Sequence, residues 1–99
     1  MSVTQGSQTA KTTRIFKALS VEARVRMVEL LKDRALCVNA LARELKITPA
    51  AVSQHLRVLR DSDLVVPDKR GNFVHYRVNE ATLADWREQA DRLLRPSET

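Results

Sequence analysis

Thr48-Pro49-Ala50-Ala51-Val52-Ser53-Gln54-His55-Leu56-Arg57-Val58-Leu59-Arg60-Asp61 decides how this chain is read. Thr at an N-cap followed by Pro at the first helical position is a start signal: Pro fixes φ and lacks an N–H that would have no intrahelical partner there. At about 100° per residue, Val52, Leu56 and Leu59 gather on one side, while Ala50, Ser53, Gln54, Arg57 and Asp61 point away. The outward face near the start is small and polar, which suits entry into a major groove. Gln54 can offer a bidentate amide to adenine, Ser53 can donate or accept, and alanine methyls can touch thymine methyls. Arg57 and Arg60, a turn further on, are placed to reach phosphates. Taken alone, the same face also fits a merely solvated helix.

Working toward the N-terminus, Val38, Leu41, Ala42 and Leu45 repeat at helical spacing over a short stretch that gives out at Lys46-Ile47. Two short helices therefore meet across a turn of three to four residues, a helix-turn-helix. Before it, Val21, Val25, Val28 and Leu31, widened by Met27 and Leu30, predict a buried-face helix with Ser20 as its N-cap and Glu22 near its positive end. Ile15, Phe16 and Leu19 belong to a first helix. Residues 1–11, rich in Ser, Thr, Gln and Gly, read as a flexible N-terminal arm.

Working toward the C-terminus, the period changes after Asp61-Ser62-Asp63. Val74, Tyr76 and Val78 alternate with Phe73, His75 and Arg77, the pattern of a strand. Leu64-Val65-Val66 supplies its partner, and Pro67-Asp68-Lys69-Arg70-Gly71-Asn72 is rich in turn formers, so a hairpin with a basic tip is expected over Leu64–Val78. A last helix, Glu80–Leu94, carries Leu83, Trp86, Ala90, Leu93 and Leu94 and stops before Pro96. The expected fold is mainly α with a small β-hairpin, a winged helix-turn-helix in the order α-α-α-α-β-β-α. Residues 12–95 form the one domain and 96–99 a tail.

The formal charge is +5 over 99 residues. Its placement is segmental: Lys46 to Arg60 and Lys69 to Asn79 contain no acid, whereas Glu80–Arg95 mixes both signs. A one-sided phosphate-binding footprint requires that distribution. The tip residues Lys69, Arg70 and Asn72, with Arg77 on the strand, can meet flanking phosphate or reach into a minor groove, so two adjacent elements predict one surface facing double-stranded DNA. With Cys37 alone no intramolecular disulfide can form, no stretch is long and apolar enough for a bilayer, and the residues after Met1 lack a signal-peptide core. A reducing, cytoplasmic setting follows. With glycine only at positions 6 and 71 there is no phosphate-binding loop, and no nucleophile and base constellation is apparent, so an enzyme is not expected.

The order of elements and the residues themselves resemble the ArsR/SmtB family of bacterial repressors from Ile15 to Leu94. The resemblance rests on Phe16-Lys17-Ala18-Leu19-Ser20 with Arg24 and Arg26-Met27, on Leu36-Cys37-Val38, on Val52 to Leu59, and on Arg70-Gly71-Asn72-Phe73-Val74-His75-Tyr76-Arg77-Val78. It implies a homodimer built through the first and last helices, with Ile15, Phe16, Leu83, Trp86, Ala90 and Leu93 at the interface. It also implies binding to an inverted repeat in a promoter and release by an inducer. Many members sense metals, and here the ligand positions are altered. A Leu-Cys-Val-Cys site keeps Cys37 but has Asn39 at the second cysteine. The last-helix site has Glu80, Thr82, Leu93 and Pro96 where the family places its acids and imidazoles. A tetrahedral zinc set is not available, so no metal and no cofactor are expected. The two histidines lie on the DNA-facing elements: His55 fits a packed or a base-contacting role, and His75 a phosphate contact or a solvated side chain. Cys37 reads either as a buried small hydrophobe or as a redox sensor. The inducer is left unnamed, and the competing reading is a winged-helix protein-interaction module.

Overall fold

The apolar positions spaced along residues 15–31 and 38–59 converge on one core. The computed structural model describes the backbone of residues 3–97 and side chains from residue 7. Its elements are α1 (Val3–Ala18), α2 (Glu22–Asp33), β1 (Leu36–Cys37), α3 (Val38–Leu45), α4 (Pro49–Asp61), β2 (Val65–Arg70), β3 (Phe73–Val78) and α5 (Glu80–Leu94). Met27 and Leu31 from α2, Leu41 from α3, Val52 and Leu59 from α4, and Leu64 and Val65 at the start of the sheet are fully buried together. Among the described residues no polar or charged residue is buried with them. The mainly α winged fold expected from the sequence is present.

Helix ends follow from local chemistry. The Thr48 hydroxyl accepts from the Ala51 N–H at 3.1 Å, with Pro49 opening α4. Asn79 does the same for α5, its Oδ1 accepting from Ala81 and Thr82 N–H at 3.1 and 3.3 Å. Helix α3 ends on Lys46 in the left-handed region (φ 56), whose N–H donates to the Ala42 carbonyl. A non-glycine residue there costs about 1–2 kcal/mol, offset by satisfying a carbonyl that the helix end leaves open. This turn lets α4 cross α3.

Four details differ from the sequence expectation. The arm expected over residues 1–11 is helical from Val3, while Met1 and Ser2 lie outside the described residues. Its polar composition speaks against burial, and Ser7, Thr9, Ala10 and Lys11 are exposed. But the Thr12 and Thr13 hydroxyls bond back to the Gln8 and Thr9 carbonyls (3.1 and 2.8 Å), so they do not compete with the helix. Ser20 does not cap α2. Its hydroxyl donates to the Lys17 carbonyl at 2.7 Å, closing α1, and Val21 holds the N-cap position without a side-chain bond.

The sheet has three strands, not a bare hairpin. β1 pairs antiparallel with β3 in the order β1-β3-β2, matching Leu36 to Tyr76 and Cys37 to His75. Two residues are too few to show an alternating pattern. Finally, Pro67 to Arg70 are strand and not turn: the register runs from Val65↔Val78 to Arg70↔Phe73, leaving only Gly71-Asn72 to turn the chain. Pro67 is tolerated because β2 lies at the sheet edge. Gly71, at φ 64, supplies the positive first turn residue of a type II′ hairpin.

Candidate nucleic-acid interface

Helix α4 divides as its spacing predicts. Val52, Leu56 and Leu59 are buried, and Thr48, Ala50, Ser53, Gln54, Arg57 and Arg60 are exposed. The exposed residues sit at one end and along one side of a helix whose opposite side is locked in the core, so their backbone positions are held. Ser53, Arg57 and Arg60 line, with Val38 and Tyr76, a groove of about 450 Å³ between α4 and the sheet. The Arg60 guanidinium lies 5.8 Å from the centre of the Tyr76 ring. A cation over an aromatic face contributes about 0.5–1 kcal/mol at an exposed site, so Arg60 ties the last turn of α4 to β3 besides offering charge.

His55 does not join the outward row. It is half-buried, and its Nδ1 is 3.5 Å from Nη1 of Arg24. Arg24 in turn donates from Nε to the Ala18 carbonyl at 2.6 Å and from Nη2 to the Lys17 carbonyl at 3.2 Å. The packed reading of His55 therefore has a partner. Neither Arg24 nor Tyr76 was assigned a role from spacing, because each acts across a long separation in the chain.

At the hairpin tip, Lys69, Arg70, Gly71 and Asn72 are all exposed, and Phe73 is 65 % exposed beside them. Arg70 reaches back to Asp68, with Nη2 and Nε at 3.1 and 3.3 Å from Oδ2. With the arginine side chain 61 % exposed, such a pair contributes about 0–1 kcal/mol, so phosphate can compete for the guanidinium. Arg77 is exposed but alternates with Tyr76, so it lies on the sheet face away from α4, where Nη1 donates to the Val78 carbonyl at 3.4 Å. Ser53, Gln54, Arg57 and Arg60 are brought together on α4, the tip residues sit at the end of the hairpin, and Arg77 is not gathered with either.

The residues assigned to a subunit interface separate by exposure. Ile15 and Trp86 are 4 % and 9 % exposed, packed into their own chain; Leu83 and Ala90 are half-buried; Phe16 and Leu93 are 40 % and 58 % exposed. Phe16 and Leu93, with Thr9, Thr12, Thr13 and Gln89, line a groove of about 400 Å³ between α1 and α5.

The fold does bring a histidine to the cysteine. Cys37, half-buried, is opposite His75 on β3, and His75 is opposite Asp68 on β2. The His75 Nδ1 is shielded and has no hydrogen-bond partner. Cys37 and His75 are two donors where zinc takes four. Among the described residues no three of His, Cys, Asp and Glu gather into a group that could hold a metal ion. The residues present do not fit the family's metal.

A helix-turn-helix with a buried back and an outward face free of acid from Pro49 to Arg60, followed by a β-wing with a basic tip, defines a winged helix-turn-helix DNA-binding regulator. The family model for "Bacterial regulatory protein, arsR family" matches residues 22–66, from α2 into β2. The chain is 36% identical over 94 residues to the transcriptional repressor SmtB homolog of Synechocystis sp., covering 94% of this chain and 69% of that one. It resembles the structure of an ArsR-like transcriptional regulator from Rhodococcus sp. RHA1 with a TM-score of 0.77 at 28% identity, over 88% of this chain and 82% of that one. The solution structure of a homodimeric winged helix-turn-helix DNA-binding domain, Mb0332 from Mycobacterium bovis, shares the fold. Its TM-score is 0.74 at 22% identity, over 100% and 95% of the two chains. This chain belongs to the arsR family of bacterial regulatory proteins.

Proposed function

We propose that the chain is a cytoplasmic transcriptional repressor that binds an inverted-repeat operator as a homodimer, with α4 in the major groove and the β2–β3 wing against the flanking backbone or minor groove. The observation that carries this is α4 itself: Val52, Leu56 and Leu59 anchor it, which leaves Ala50, Ser53, Gln54 and Arg57 exposed at fixed positions with no acid among them. Lys69 and Arg70 extend the positive fringe, and Thr48 and Asn72 add neutral hydrogen-bonding groups beside it.

The dimer has its own support. A radius of gyration of 15.4 Å exceeds the roughly 13 Å of a compact chain this long, and the extents are 52 × 24 × 23 Å. Helices α1 and α5 pack on each other and leave Phe16, Leu93 and Leu94 facing outward. A second copy seated there buries them, with Ile15 and Trp86 as the backing layer behind the contact. Twofold symmetry then sets two α4 helices about 34 Å apart, one DNA turn, which is why the operator is an inverted repeat.

Release from DNA is not driven by zinc, cadmium or arsenite, since the ligand set is missing. Measured displacement of bound DNA by one stoichiometric equivalent of any of them contradicts this. The test of the reading is selection of bound fragments from the source genome, followed by titration of the selected site and of random duplex. Gln54→Ala is expected to lose about 1–3 kcal/mol of preference for the selected site. Equal affinity of the parent protein for both duplexes defeats the reading and favours a protein-interaction module.

A further inference from the structure

Arg24 touches three elements at once. It lies in the first turn of α2, and its planar guanidinium offers donors in fixed directions. Two of them close the C-terminal end of α1: Nε on the Ala18 carbonyl at 2.6 Å and Nη2 on the Lys17 carbonyl at 3.2 Å. The third, Nη1, faces the Nδ1 of His55 on α4 at 3.5 Å. Among the described residues none of the ion pairs includes Arg24. Its charge is met by the carbonyl dipoles at the negative end of α1 and by the imidazole.

We infer that Arg24 is a positioning residue for DNA recognition: through His55 it locks α4 to the end of α1, and so fixes the recognition helix relative to the helix pair on which the dimer is built. This rests on the dimeric, inverted-repeat reading above and adds a residue that touches neither DNA nor partner. Its leverage is geometric. With recognition helices about 34 Å apart, each lies about 17 Å from the twofold axis, and a rotation of about 10° moves it about 3 Å. That is close to the step of about 3.4 Å between base pairs, so a small slackening at Arg24 is enough to lose half-site register.

The test needs one readout without DNA and one with it. In a Cys37→Ser, Asp61→Cys background, one spin label on the end of each α4 reports the distance between the two helices in the free dimer. The parent is expected to give a narrow distribution, and Arg24→Ala a broader one by several ångströms. On duplexes selected from a random library, Arg24→Ala is expected to lose about tenfold or more of its preference for the selected site over a version with one base pair inserted between the half-sites. Affinity for random duplex stays unchanged, because the phosphate contacts remain. His55→Asn, whose amide oxygen can accept in place of Nδ1, retains both properties, and His55→Leu loses both. A folded Arg24→Ala with an unbroadened distance and full spacing preference overturns the inference. If Arg24→Ala does not fold, His55→Leu decides alone, since it leaves the cap on α1 intact. Absence of any paired-label signal in the parent removes the dimer, and the inference with it.

Discussion

Helices α4 and α5 begin alike and finish differently. Each opens on a side-chain cap, Thr48 or Asn79, bonding the first free N–H groups at 3.1 Å. Each is amphipathic, of 13 and 15 residues. Yet α4 buries Val52, Leu56 and Leu59 in its own chain and leaves Val58 at 37 % exposed, whereas α5 buries only Trp86 and leaves Leu93 and Leu94 at 58 % and 71 % exposed. An exposed polar face over a completed core is a surface for reading something else. An exposed apolar face is packing still to be done. Similar sequence periodicity thus supports two functions, and the difference lies in what covers the apolar side.

The contrast breaks first at Leu59, fully buried in α4. Leu59→Ala leaves a cavity in a core with no slack and is expected to cost about 3 kcal/mol, a fall in Tm of roughly 15 °C by thermal unfolding. Leu93→Ala on α5 should barely change the fold of the protomer. Instead it weakens the dimer by about 2 kcal/mol over the two copies, about thirtyfold in Kd by sedimentation equilibrium. A monomeric parent, or a loss of protomer structure in this variant, erases the distinction between the two helices. The caps sharpen it: Thr48→Ala and Asn79→Ala are each expected to cost about 1 kcal/mol in denaturant unfolding, equal within error, because the ends are alike and only the faces differ. Smallest in stability is Arg70→Ala, within about 0.5 kcal/mol, while it lowers the salt slope of DNA binding by about one ion for all sequences.

Much of this was legible in the sequence wherever a signal is local. Thr48-Pro49 marks the start of α4 within one residue, Leu94 marks the end of α5, and the alternation from Phe73 to Val78 is β3 residue for residue. The exposed row of α4 could be read for the same reason: a helical wheel needs only neighbours. What escaped is non-local. β1 is two residues long and exists only because β3 is there to pair with it. The Arg24 to His55 contact spans 31 positions, and Arg60 meets Tyr76 only after the chain reverses through the hairpin. Trp86 shows the limit of periodicity in the other direction. Its spacing marks an apolar stripe but cannot say whether its own chain or a partner covers it, and here its own chain does.

The pairing of β1 with β3 has a further consequence. β1 runs directly into α3, the first helix of the helix-turn-helix, so the wing is hydrogen-bonded to the segment that launches that helix. A hairpin attached only at its base would flap, and gripping a duplex would cost it conformational freedom at the moment of contact. Stitched through Leu36 and Cys37, hairpin and helices form one stiff jaw whose entropy loss was met during folding. Force applied at the Lys69–Asn72 tip is then felt where the helix-turn-helix begins.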